Sequence, residues 1–132
     1  MTRSEQRQLI LGLVFEKTFH EEPVPEVIQL AVETREIVAD DFITRCVNGV
    51  FENLDQIDKT IEENCIGWKL SRIPRVSLCI MRVAVYEILF EQDIPVGASI
   101  NEAVELAKKY AGDEDPSYIN GVLGAVARKL EK

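Results

Sequence analysis

Hydrophobic residues recur three and four positions apart along almost the whole chain, and that spacing predicts helices. Thr2-Arg3-Ser4-Glu5 has the form of a capping box, a hydroxyl followed three residues later by Glu. Behind it Leu9, Ile10, Leu11, Leu13, Val14 and Phe19 make a broad apolar stripe that carries a first helix to about His20. Glu21-Glu22-Pro23-Val24-Pro25 is a break, because two prolines so close do not sit inside a helix. A second amphipathic run holds Val27, Ile28, Ala31 and Val32. A third holds Phe42, Ile43, Val47, Val50 and Phe51, and a fourth Leu54, Ile57 and Ile61. Gly67 and Pro74 bracket a linker that still carries Trp68 and Leu70. From Pro74 to Phe90 the chain is apolar on nearly every face, the pattern of a buried helix, and Asp93-Ile94-Pro95-Val96-Gly97 ends it. Ser99-Ile100-Asn101-Glu102 reads as a second capping box, opening a short helix to Tyr110. Asp115-Pro116 places a capping acid before a proline at the start of a last helix. No segment alternates as a strand would. The pattern predicts a compact all-α domain of about seven helices over residues 1–132.

Composition agrees with this picture. The chain has 132 residues, 46% hydrophobic and 29% charged. At that size a single domain buries roughly two-thirds of its unfolded surface. No apolar run approaches the roughly 18 residues that span a bilayer, and the polar start, Met1 to Gln8, does not read as a secretion signal. Cys46, Cys65 and Cys79 are odd in number and widely spaced. This argues against a disulfide framework and a zinc site, and fits a cytoplasmic protein.

Charge complicates the functional reading. The net charge is −8, whereas a nucleic-acid binder is normally basic. The acid is localised, however: residues 21–65 hold twelve acids against three bases, while residues 66–90 hold four bases against one acid. Such segregation leaves room for a positive face on an acidic protein, and equally for a merely solvated acidic helix surface.

The chemistry of catalysis is thin. His20 is the one histidine, so a histidine-centred triad or a histidine-rich metal site lacks material. Neither glycine pattern that cradles a phosphate occurs. The small residues of Gly121-Val122-Leu123-Gly124 are expected to let two helices approach closely. Arg82, set in the most apolar stretch, requires a carboxylate, since an unpaired buried charge is costly. Glu102 is the expected partner, in a structural ion pair rather than a catalytic one. No enzyme activity, cofactor or metal is expected.

Four motifs in order then carry a resemblance. They are Trp68-Lys69-Leu70-Ser71-Arg72-Ile73, Ile80-Met81-Arg82-Val83-Ala84-Val85-Tyr86-Glu87, Ile100-Asn101-Glu102-Ala103-Val104-Glu105-Leu106-Ala107-Lys108, and Tyr118-Ile119-Asn120-Gly121-Val122-Leu123, with Asp93-Ile94-Pro95 between the second and third. Together they resemble the NusB family of bacterial transcription antitermination factors, strongly over residues 68–123 and weakly over the first helix. The resemblance implies two small packed helical subdomains, roughly 1–65 and 66–132. It further implies binding of boxA-type single-stranded RNA in nascent ribosomal transcripts together with NusE, the small-subunit ribosomal protein, in the antitermination complex of RNA polymerase. Some members also form homodimers, which cover the RNA surface.

Mapped onto this chain, the family's arginine-rich first helix reads Arg3-Ser4-Glu5-Gln6-Arg7, followed by an aromatic at Phe15. Arg3 and Arg7 are four apart and so are expected on one face, straddling a phosphate. Phe15 offers a ring for stacking, or else packs in the core. Tyr118 could stack on an unpaired base and extend its hydroxyl to a phosphate or sugar, or close the helix-end core. Arg72 and Arg75 flank Pro74 and should be exposed, available to RNA or a partner. Two other readings stand beside the adaptor. One is the NusB-like domain that opens some RNA cytosine methyltransferases, disfavoured because the chain stops at Lys132, directly after the helical unit. The other is a helical scaffold without RNA binding.

Overall fold

A computed structural model describes residues 1–67 and 69–131, of which Glu131 by its backbone only. Among these residues there are seven α-helices and no strand. In chain order they are α1 (Arg3–Lys17), α2 (Val24–Arg35), α3 (Asp41–Glu52), α4 (Leu54–Glu63), α5 (Arg75–Phe90), α6 (Val96–Tyr110) and α7 (Asp115–Glu131). A single 3-10 turn, Leu70–Arg72, lies in the linker, where Trp68 falls outside the described residues.

The local signals explain most boundaries. Thr2 caps α1 in a full capping box: its hydroxyl accepts from the Glu5 N–H, and the Glu5 carboxylate accepts from the Thr2 N–H. The proline pair does not separate α2 from its start. Pro23 is the capping residue and Pro25 lies in the first turn, where its missing N–H has no helical partner to lose. The α2 helix ends on Glu36 in the left-handed conformation (φ 55°), a place usually given to glycine. Asp40 caps α3 through the Ile43 N–H.

Two expectations fail. The Ser99 capping box does not form, because α6 begins three residues earlier at Val96. Ser99 lies within the helix, buried, and its hydroxyl donates to Glu87 Oε1 at 2.8 Å. Nor do the α7 glycines mark a close helix approach. A Cβ added at Gly121 would meet nothing, and one at Gly124 would meet only the end of Arg128.

The central element is α5, which packs against α1, α3 and α4 on one side of the sequence and α6 and α7 on the other. Its apolar circumference is the reason: Cys79, Ile80, Met81, Val83, Ala84 and Val85 are all buried. One continuous apolar cluster runs from Ile10 and Ile43 through Ile80 to Ile119 and Leu123. The close contact in this core is between α3 and α5, where the Tyr86 ring lies against Gly49.

Candidate nucleic-acid interface

Eight arginines compete for partners, and the structure sorts them. Arg7, Arg35, Arg45 and Arg82 each pair with a carboxylate. Arg3, Arg72, Arg75 and Arg128 are exposed and form no ion pair with a described residue. The charge available to a phosphate is therefore concentrated on few positions of an otherwise acidic chain.

Arg7 is not among them, contrary to the expectation that it straddles a phosphate with Arg3. It is 4% exposed, with Nε and Nη2 each 2.9 Å from the Glu87 carboxylate and Nη1 3.5 Å from Glu102. Ser4 donates to the same Glu102 at 2.7 Å, and Ser99 to Glu87, so the network ties α1 to α5 and α6. The physical reason is the apolar stripe of α1. Arg7 lies three residues before Ile10 on the face that meets α5, so it is buried with that face and needs a buried carboxylate.

The Arg82–Glu102 pair does not form either. Arg82 donates twice to Asp58 on α4, at 2.8 and 2.9 Å, and both side chains keep some solvent contact. Helical phase decides this: α5 presents Arg82 toward α4, and Glu102 on α6 faces Arg7. Arg3 stacks its guanidinium on the Phe42 ring, 3.6 Å from the centroid, beside Arg45, which Glu91 neutralises.

The remaining residues converge. Phe15 and Phe19 meet edge to face at 5.1 Å, and the Arg75 guanidinium lies over Phe19 at 4.4 Å. They line a cleft of about 530 Å³ that also touches Pro74 and Tyr110. This cleft shares Pro74, Ser77 and Asp115 with a cleft of about 640 Å³ at Tyr118. It shares Phe15, Val76 and Tyr110 with a third of about 290 Å³. The three form one groove along α1, the start of α5 and the ends of α6 and α7. Arg72 is exposed on the 3-10 turn, two residues before Pro74 in the chain.

Tyr118 contributes its ring and not its hydroxyl. The phenol oxygen is buried, and burial followed by a hydrogen bond with the Cys65 thiol raises its pKa. Asp113, Glu114 and Asp115 line the same end, with Asp115 accepting from the Gly112 N–H, so that end carries acid where a phosphate would want base. Phe19 and Tyr110, 61% and 47% exposed, are the groove residues that sequence periodicity misassigned or passed over. Phe19 fits the apolar stripe of α1, but the helix stops at Lys17 and turns its ring outward.

A family model described as the NusB family matches residues 4–128. The chain belongs to the NusB family. It is 41% identical to the transcription antitermination protein NusB of Clostridium acetobutylicum, over 100% of this chain and 99% of that one. With the corresponding protein of Clostridium novyi it is 40% identical, over 94% and 96%. Among solved structures it superposes on T. maritima NusB with a TM-score of 0.85 at 29% identity, covering 98% of this chain and 92% of that one. It shares the fold, at 24% identity and a TM-score of 0.83, with NusB from a crystal structure of the antitermination factors NusB and NusE in complex with dsRNA.

Membership in the NusB family places the Arg7–Glu87–Glu102 network and the aromatic groove within a shared all-helical frame. All three cysteines are buried free thiols, and among the described residues no cluster of three metal-ligating side chains occurs. No described helix is long and apolar enough to cross a membrane.

Proposed function

We propose that this chain is a non-catalytic RNA-binding adaptor of antitermination. In this reading it takes boxA-type single-stranded RNA of a nascent ribosomal transcript together with NusE, and helps RNA polymerase pass premature stops in the cytoplasm. The observation that carries the reading is the groove itself. Arg75, a cation without a carboxylate partner among the described residues, lies over Phe19 and lines one cleft with Phe15, and the adjoining cleft holds the Tyr118 ring. Single-stranded RNA is read by stacking splayed bases on aromatic and guanidinium planes while cations hold the phosphates. Arg3 serves as a separate phosphate contact, about 18 Å along the α1 axis from Phe15. In this reading α5 belongs to the subdomain 66–132 and packs against α1, α3 and α4 of the subdomain 1–65, and the groove takes residues from both.

Relatives that match this chain end to end carry the antitermination name, which supports an adaptor over a methyltransferase module. The NusE partnership is supported by the solved complex of a protein with this fold. The test is titration of a labelled boxA-like RNA with the protein, with and without NusE, alongside Arg75→Glu. Charge reversal at Arg75 should weaken binding at least tenfold while leaving the thermal midpoint within a few degrees. Unchanged affinity would refute the groove as the RNA site.

A further inference from the structure

One end of the groove has a feature that stacking and phosphate contact leave unused. In the cleft of about 290 Å³, lined by Gln8, Leu11, Gly12, Phe15, Val76 and Tyr110, the Gln8 amide is held in one orientation. Its oxygen accepts from Lys109 Nζ at 2.8 Å and from the Tyr110 hydroxyl at 3.1 Å. With the oxygen engaged twice, the amide presents its NH2 group, two donors that meet no acceptor among the described residues.

Gly12 supplies a second, independent observation. It sits in the middle of α1, exposed, and a Cβ added there would meet nothing within 4 Å. Glycine is among the poorest helix formers, and here no neighbouring element uses the space it leaves. The bare backbone instead lines the open cleft together with Phe15 and Tyr110. A mostly apolar cleft with two aromatic side chains in its lining accepts a planar ring, and its size is near the lower limit of small-ligand clefts.

We propose that this slot is a nucleobase subsite that selects a base with a keto oxygen where adenine and cytosine carry their amino group, uracil or guanine, through the Gln8 NH2 group. The inference rests on the RNA-binding reading above and adds a specificity-determining residue to it. The fixed amide donates to the keto oxygen. Lys109, whose ammonium already lies 5.4 Å from the Tyr110 ring centre, supplies a cation for the adjoining phosphate. Adenine presents an amino group in place of that keto oxygen, and with the Gln8 oxygen already engaged the usual two-point pairing of glutamine with adenine is not open to it.

The experiment uses labelled oligouridylate and oligoadenylate of one length, measured by fluorescence anisotropy at one low salt concentration. The full chain is compared with Gln8→Glu and Gly12→Leu. The parent should prefer oligouridylate about tenfold, in the range of a good base-edge contact. Gln8→Glu replaces the NH2 donors with an acceptor oxygen and should abolish or invert that ratio. The ratio, unlike the absolute affinity, is insensitive to the added negative charge. Gly12→Leu fills the slot and should weaken oligouridylate binding about tenfold with an equal or higher thermal midpoint, since leucine is the better helix former. An unchanged uridine-to-adenine ratio in Gln8→Glu, or full binding by Gly12→Leu, overturns the subsite. Equal affinity of the parent for the two RNAs overturns the subsite alone. Binding of neither RNA by the parent overturns the RNA-binding reading with it.

Discussion

The Arg7 guanidinium and the Glu87 carboxylate face each other in a two-pronged pair, both contacts 2.9 Å, with their side chains 5% and 1% exposed. Of the two arginines of the first helix, Arg7 is thereby spent on the fold. Removing one member of such a pair strands a buried charge and costs roughly 3–5 kcal/mol. Arg7→Ala should therefore unfold at much lower urea, with RNA affinity per folded molecule unchanged. Arg82→Ala breaks a pair that keeps solvent contact and should cost less, about 1.5–3 kcal/mol for its charged hydrogen bonds. Parallel urea titrations check the order, and equal losses would contradict it.

Gly49 should tolerate no side chain. A Cβ there would clash with the edge of the Tyr86 ring, whose hydroxyl is anchored to Glu91 at 2.7 Å and so does not swing away freely. Gly49→Ala should destabilise by about 1–3 kcal/mol through overpacking, even though alanine favours helices. A thermal melt at or above the parent's would contradict the close packing of α3 on α5.

Acid should loosen the structure in a defined window. Hydrogen bonds from Arg45 hold Glu91 below its ordinary value of 4.5, and the Ile43 N–H holds Asp40 below 3.8. A carboxylate whose pKa is lowered on folding stabilises fully above its unfolded value, and the gain is lost as pH falls through the folded one. Stability should be flat near neutrality and fall below about pH 4.5, less steeply in Glu91→Gln. Midpoints measured from pH 7 down to pH 3 provide the check.

Salt should weaken RNA binding only modestly. The three arginines assigned to RNA, Arg3, Arg72 and Arg75, at about −0.7 per phosphate contact, give a log–log slope of about −2. A slope near zero would remove the electrostatic part of the site.

Tyr118 should respond differently to two substitutions. Tyr118→Phe loses a buried hydroxyl hydrogen bond and should cost about 1 kcal/mol of stability with RNA affinity kept. Tyr118→Ala removes the ring and should weaken RNA binding about tenfold, within the roughly 1–3 kcal/mol of one stack. Affinity and melting measured on one sample separate the two effects.

The helices and their order were legible in the sequence, because apolar periodicity and capping are local. Thr2 and Glu5, or Pro23 and Pro25, act within a single turn, and α5 announced its burial by being apolar on every side. The partners of charged residues were not legible. Arg7 meets Glu87 across 80 positions, Arg82 meets Asp58 across 24, and Glu102 turns to Arg7 instead of Arg82. Each pairing depends on the rotation of one helix against another, which a spacing within one helix does not specify. For the same reason Ser99 looked like a cap until packing carried α6 back to Val96 and set its hydroxyl on Glu87. The sequence by itself determined an all-helical chain with its acid segregated and its candidate arginines and aromatics in place. Tertiary packing decided which arginines remain available, and brought Gln8, Phe15, Arg75, Tyr110 and Tyr118 to one groove. Burial demands a partner for every charge it encloses, and only the packed helices determine which charges are enclosed.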